Sequence, residues 1–378
     1  MPRVLIVLSL ILGIALAGLL GWWQRDTPRP ADAVSLPLAL LNRLPAEGFA
    51  PVSDDWQFEF PRDHAAHPAF RSELWTLSAT LENAAGQRFG VQFSLLRLAL
   101  SPQLPAHPSA WASQQLYRAA LVVADAAADR LLAEERFSRS ALELAGSRTE
   151  PPRVWLENWQ LLADPDGLGL QAASDELHLD LRLLPRKAPV LRPAQGRGEA
   201  AFHAYALSRL AASGTLRIQG QSHRVTGLAW LDRAWGAVPV SRGQQALDRF
   251  LIQLDDGREL AIFRLHRRGG GGTPIPTALL IGRDGSLREY GRRELSLEPT
   301  GFWESLRDGA RYPVAWRLHL PAEDLRLDLA PLREDQELFM TLRYWAGSLR
   351  VSGEAEGQAL SGVGYLELTG YGDTGESL

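Results

Sequence analysis

Three segments concentrate groups able to move protons or steady charge. One runs from Phe60 through Arg62, Asp63, His64 and His67 to Glu73 and Trp75. Another is Phe202-His-Ala-Tyr205, and the last is Gly227-Leu-Ala-Trp-Leu-Asp-Arg-Ala-Trp-Gly236. In the last, Trp230 and Asp232 stand two apart, so on a strand they share a face and set a carboxyl beside an indole. Such surroundings favour the neutral acid, which is able to donate a proton, and an indole face steadies a cation. The same spacing also suits a buried Asp232 paired with Arg233 or Arg249 across strands, which is the commoner arrangement. In the first segment, Asp63, His64 and His67 lack the third spaced ligand of a zinc site. Their types fit a segment that crosses a barrel mouth and needs its backbone satisfied.

Other chemistries find little support. No Gly-x-Ser-x-Gly elbow occurs, and Asp255-Asp256 falls in a turn rather than a carboxylate pair. Cysteine is absent, which removes thiolate nucleophiles, thiolate metal sites and disulfides. No metal or cofactor is expected. A net charge of −4 gives no case for a nucleic-acid partner. Lys187 is the single lysine in an arginine-, leucine- and alanine-rich chain, the mark of a compositional bias.

The elements that must hold these residues are strands. Leu177 to Leu183 and Leu325 to Leu329 alternate throughout, and Val314 to Leu320 does so except at Ala315, the period of half-buried strands. Asn83 to Gly86, Asp164 to Gly167, Asp255 to Gly257 and Asp284-Gly285 separate apolar runs as hairpin turns do. The clearest hairpin joins Phe250–Leu254 to Glu259–Leu265. Ala126 to Glu135 and Trp303 to Arg307 read as short helices, and Gly269 to Gly272 as a hairpin loop. The 378 residues suit two domains. Pro185, Pro189, Pro193, Gly196 and Gly198 mark the boundary, giving an N-terminal half over 44–190 and a C-terminal half over 191–378.

Val4 to Trp23 is an apolar run long enough to span a bilayer. It follows Arg3, ends on Trp22 and Trp23 and precedes Gln24 and Arg25, and it lacks a clear small-residue cleavage site, so an uncleaved anchor over 1–25 is preferred to a cleaved signal. Leu16 to Gly18 looks like a lipoprotein signal without its cysteine. A proline-rich linker over 26–43 follows, and the expected body is membrane-anchored and periplasmic or otherwise extracytoplasmic.

The motif segments resemble the AttH and carotenoid 1,2-hydratase family. The matching pieces are Phe60 to His67 with Glu73 and Trp75; His203 to Tyr205 with Arg209 to Gly214; Gly227 to Gly236; Asp248 to Phe250 with Gln253 to Leu260; Tyr344 to Gly347; and Gly364 to Tyr371. This resemblance implies an all-β fold of two lipocalin-like antiparallel β-barrel domains. It also implies one of two activities. One is that of a membrane-attached companion of an ABC transporter permease that binds a hydrophobic small molecule or lipid. The other is hydration of an isoprenoid double bond, with Asp232 as proton donor, Trp230 and Tyr205 shielding the cation and water captured near His203. Expected ligand contacts are His64, His67, Glu73, Trp75, Tyr205, Trp230, Trp235, Tyr344 and Trp345. The family pattern usually has glutamate at Ala234 and Ala346, tryptophan at Leu74 and a Gly-Trp pair at Ala246-Leu247. Losing these side chains favours binding, with hydration as the alternative.

Overall fold

The computed structural model describes residues 47–103, 113–196, 201–236, 245–268 and 274–372. The anchor, the linker and Gly269 to Gly272 lie outside them. Contacts divide the chain into Met1–Arg43 and Leu44–Leu378, and all described residues belong to the second unit. Among them no helix is long and apolar enough to cross a membrane.

The body is all-β, in two barrel-like sheets, one nearly closed and one a half-barrel. The first contains β1 (Ser72–Asn83), β2 (Arg88–Ala99), β3 (Gln115–Asp125), β4 (Arg130–Arg139), β5 (Ala145–Thr149) and β6 (Pro152–Leu156). It continues with β7 (Trp159–Asp164), β8 (Gly167–Ala173), β9 (Leu177–Pro185), β10 (Val190–Gln195), β11 (Phe202–Ile218) and β12 (Gln221–Gly236). The second contains β13 (Gln245–Leu254), β14 (Glu259–Arg267), β15 (Ile275–Ile281), β16 (Leu287–Tyr290) and β17 (Ser296–Glu304). Its remaining strands are β18 (Arg311–Leu320), β19 (Leu325–Pro331), β20 (Glu337–Phe339), β21 (Arg343–Ala355) and β22 (Gln358–Thr369). The spatial orders are β4-β3-β2-β1-β12-β11-β9-β8-β7-β6-β5 and β16-β15-β14-β13-β22-β21-β19-β18-β17, with β10 on β11 and β20 on β21. Arg136 of β4 reaches Asn158 at 2.6 Å and the Ala173 carbonyl at 3.0 Å, stitching the first sheet toward closure.

The expected alternating runs are β9, β18 and β19, and the Phe250–Leu265 hairpin is β13–β14. The turns form as their residues require: Gly86, Gly257 and Gly285 take φ of 77°, 88° and 83°. Two expected helices are strand and turn instead. Asp125 accepts from the amides of Ala127 and Ala128 at 3.1 Å each, and Asp129 turns left-handed, so Arg130 onward pairs back with β3. Trp303 belongs to β17, and Ser305 to Gly309 make a turn. The sheets also change over elsewhere than at the proline-rich stretch. β10 lies within it and still pairs with β11, as an edge strand that tolerates Pro193, and the chain passes between sheets after Gly236.

Alternation gives each sheet two faces. Leu77, Leu231, Phe93 and Trp159 fill the interior of the first, and Phe250, Ile262, Trp316 and Trp345 that of the second. The outward faces pack on each other through two apolar clusters, Val190, Trp230, Leu251, Ala261 and Leu279 in one and Val122, Leu338, Ala346 and Tyr365 in the other. Small residues allow this: a Cβ on Gly90 would stand 2.7 Å from Ser348 Oγ. Polar ties complete the seam. Gln253 donates to the Ser208 and Ala229 carbonyls at 2.7 and 2.9 Å. Lys187 spends its three ammonium protons on Glu259 at 2.7 Å and the carbonyls of Gly257 and Gly282 at 2.6 and 2.5 Å.

Candidate functional site

β12 carries chemistry on both faces. Ala229, Leu231, Arg233 and Trp235 point into the first sheet's interior, while Trp230, Asp232 and Ala234 point to the seam. The four residues expected to form one catalytic set are therefore divided. His203 and Tyr205 pair in register with Trp235 and Arg233 and face inward with them, whereas Trp230 and Asp232 lie across the sheet.

Inside the mouth of the first sheet, residues 47–71 form a strap. Ala50, Val52, Trp56 and Phe58 pack on the core beneath it, and a short 3-10 turn spans Arg62–His64. Glu73, fully buried on β1, holds the strap down: it accepts from the His67 amide at 2.8 Å, and from Arg97 Nε at 2.7 Å and Arg233. Arg97 and Arg233 also donate to the strap carbonyls of Phe70 and Ala65 at 2.6 and 2.8 Å. His67 bridges Glu73 and Asp63 at 3.3 and 3.1 Å and stacks on Trp235 at 4.0 Å between ring centres. Arg233 lies 3.7 Å over the Trp75 ring. Burial would raise the Glu73 carboxyl, but the two guanidiniums overcome it and hold the group far below the usual range.

His64 Nδ1 lies 2.6 Å from the Tyr205 hydroxyl. Burial, aided by Arg233, lowers His64 to about 4, leaving it neutral at pH 7. His203 gives its Nδ1 proton to the Pro193 carbonyl, and its buried Nε2 has no partner among the described residues. The space bounded by His64, Trp75, Leu161, Leu168, Tyr205 and Leu231 amounts to about 200 Å³ of interstices and has no room for a water molecule. This mouth is a fastened lid, the arrangement anticipated for its polar residues.

The seam differs. Gln253 meets Ala229 while Arg249 meets Asp232, so the end of β12 and the start of β13 lie at one end of the molecule. There the Asp232 side chain remains 31% exposed. It accepts from Trp230 Nε1 at 3.0 Å and from Arg249. Arg249 gives its other two contacts to Glu367, at 3.0 and 2.8 Å. Gln92 donates to Glu367 at 2.5 Å and accepts from the Tyr344 hydroxyl at 3.2 Å. Partial burial pushes the Asp232 carboxyl up against the pull of Arg249 and Trp230, with Glu367 adding to the rise. Burial raises the Tyr344 and Tyr365 phenols as well, so both stay protonated.

Trp345, an expected ligand contact, is instead buried in the second core, with its indole N–H on the Glu334 carbonyl at 2.7 Å. Glu367 and Gln92 escaped notice in the sequence, although alternation sets Tyr365 and Glu367 opposite Leu366 and Leu368 on β22. The departures from the family pattern gather at the seam: Leu74 pairs with Ala234 on its face, Leu247 sits two residues before Arg249, and Ala346 packs beside Tyr365.

Comparison with known proteins agrees with this architecture. No curated protein sequence matches. A crystal structure of an AttH protein from Nitrosomonas europaea is 30% identical, with 86% of this chain and 100% of that one covered and a TM-score of 0.73. Kievitone hydratase from Nectria haematococca shares the fold at 15% identity, 88% and 98% coverage and a TM-score of 0.61. CghA shares it at 16% identity, 87% and 97% coverage and a TM-score of 0.52. The AttH-like family model matches residues 51–371, and the chain belongs to that family.

Proposed function

We propose that the protein adds water to an electron-rich, isoprenoid-like double bond in the seam between its sheets, with Asp232 as the acid. One observation carries this reading. Asp232 is a partly exposed carboxyl raised toward its neutral form, bonded to an indole at 3.0 Å and flanked by apolar walls. Its proton would pass to the less substituted alkene carbon, leaving a tertiary cation that the Trp230 and Tyr344 rings steady. Water would bond to the cationic tertiary carbon, and its released proton would restore the acid. The hydratase named among the structural neighbours agrees in direction with this chemistry. His203 and Tyr205 enter as supports of the barrel mouth rather than as partners of Asp232.

A second reading is favoured by the Arg249 ion pair, which competes to keep Asp232 ionised. The protein would then bind a lipidic molecule without chemistry and pass it to a membrane permease. Incubating the full chain with an acyclic carotenoid in heavy-oxygen water separates the two. Hydration predicts labelled tertiary alcohol, reduced about a hundredfold or more in Asp232→Asn. Carotenoid retained unchanged by both proteins would support the binder instead.

A further inference from the structure

The turn Ser305–Gly309 carries the most exposed large apolar side chain described, Leu306 at 95%, with Phe302 and Phe339 also exposed at 50% and 40%. This turn is braced. Gly309 donates to the Ser305 carbonyl and Ser305 to the Ala310 carbonyl, each at 2.9 Å. Arg343 holds Asp308 through both carboxylate oxygens, at 2.5 and 2.8 Å, and reaches Glu337 at 2.7 Å, which also accepts from Ser305 Oγ at 2.5 Å. A leucine is thus fixed in water, where hydration disfavours it and no internal contact compensates. Arg307 lies 3.6 Å over the Phe339 ring and Arg311 4.6 Å over Phe302, and neither has a carboxylate partner among the described residues. Glu304 is exposed nearby, and Asp308 is occupied by Arg343. The turn lies where β13 and β21 begin and β22 ends, the end at which Arg249 meets the partly exposed Asp232.

We infer that this tip docks the protein on an anionic phospholipid surface, with Leu306 in the acyl boundary and Arg307 and Arg311 on lipid phosphates. A few side chains on one turn fall well short of the roughly 800 Å² per partner of a stable protein interface. A bilayer, by contrast, takes up apolar groups singly and rewards cations beside them. On the proposed function, docking would turn the end that carries Asp232 toward the phase in which a lipidic substrate dissolves.

The absence of cysteine allows a direct test in the full chain. An environment-sensitive fluorophore is placed at Leu306→Cys and, as a reference on the opposite end, at Ala85→Cys. With vesicles of phosphatidylcholine and phosphatidylglycerol, the probe at position 306 should brighten, shift to the blue and be quenched by brominated lipid, while the reference stays unchanged. Adding Arg307→Ala and Arg311→Ala should weaken the response about tenfold and remove its preference for the anionic lipid. A water-like signal at position 306 on vesicles that retain the protein would overturn the proposal. So would a blue shift that appears without lipid as protein concentration rises, since that marks a second copy as the occupant.

Discussion

Glu73 and Asp232 stand on neighbouring strands of one sheet, on opposite faces, and the protein treats them in opposite ways. Glu73 is fully buried, held by two arginines and a histidine, and kept ionised. Asp232 is partly open to water, shares one arginine with Glu367 and is pushed toward the neutral acid. A buried carboxylate with excess positive charge is a clamp, because its cations outweigh the pull of burial toward the protonated form. One that must share its counter-charge is held less firmly as the anion and takes up a proton more readily. Neutralisation, more than proximity to aromatic rings, distinguishes the lid of the first barrel from the acid of the seam.

The largest expected effect follows from removing the clamp. Glu73→Ala would leave Arg97 and Arg233 buried without a counter-charge, and urea unfolding should show a loss of about 3–5 kcal/mol. A loss under about 1 kcal/mol would mean that the strap is held by its apolar contacts alone.

Acid comes next. His64 is held near 4, below its unfolded value of 6.5, so its stabilising contribution is whole above pH 6.5 and is lost as pH falls toward 4. The unfolded chain binds the extra proton in that window, giving a decline of up to roughly 3 kcal/mol between pH 7 and 4. His64→Gln should flatten the decline. A wild-type midpoint constant over this range would show that His64 is not kept neutral.

A smaller effect is expected at the inter-sheet lysine. Lys187→Met leaves Glu259 its bond to Arg209 and the Gly282 carbonyl its bond from the Gly285 amide but strands the Gly257 carbonyl, at a cost of about 2 kcal/mol by the same unfolding measurement. The smallest is Asp232→Asn, which keeps a hydrogen-bonding side chain at a partly wet position and should cost about 1 kcal/mol or less. If that variant proved as damaging as Glu73→Ala, Asp232 would be a second clamp and the contrast would fail.

Much of this was legible in the sequence. Alternation and Asp-Gly turns located the hairpins, and the two-residue spacing put Trp230 and Asp232 on one face, where they meet. The same alternation already implied that Asp232 and Arg233 face apart, but nothing in one strand reveals which face a second sheet will cover. The partnership of Asp232 with Glu367 depends on residues far apart in sequence brought together by sheet packing. Pro185 to Gly198 misled because proline is permitted in an edge strand, and Ala126 to Glu135 because its helix-forming residues are overruled by the turn that Asp125 organises.

The protonation states of the two carboxyls test the contrast most directly. Carboxyl-carbon NMR of Asp- and Glu-labelled protein, with Asp232→Asn and Glu73→Gln used for assignment, would follow both groups through an acid titration. Asp232 should titrate above the ordinary aspartate range and Glu73 far below the ordinary glutamate range. An Asp232 that remains ionised to lower pH than Glu73 would contradict the account.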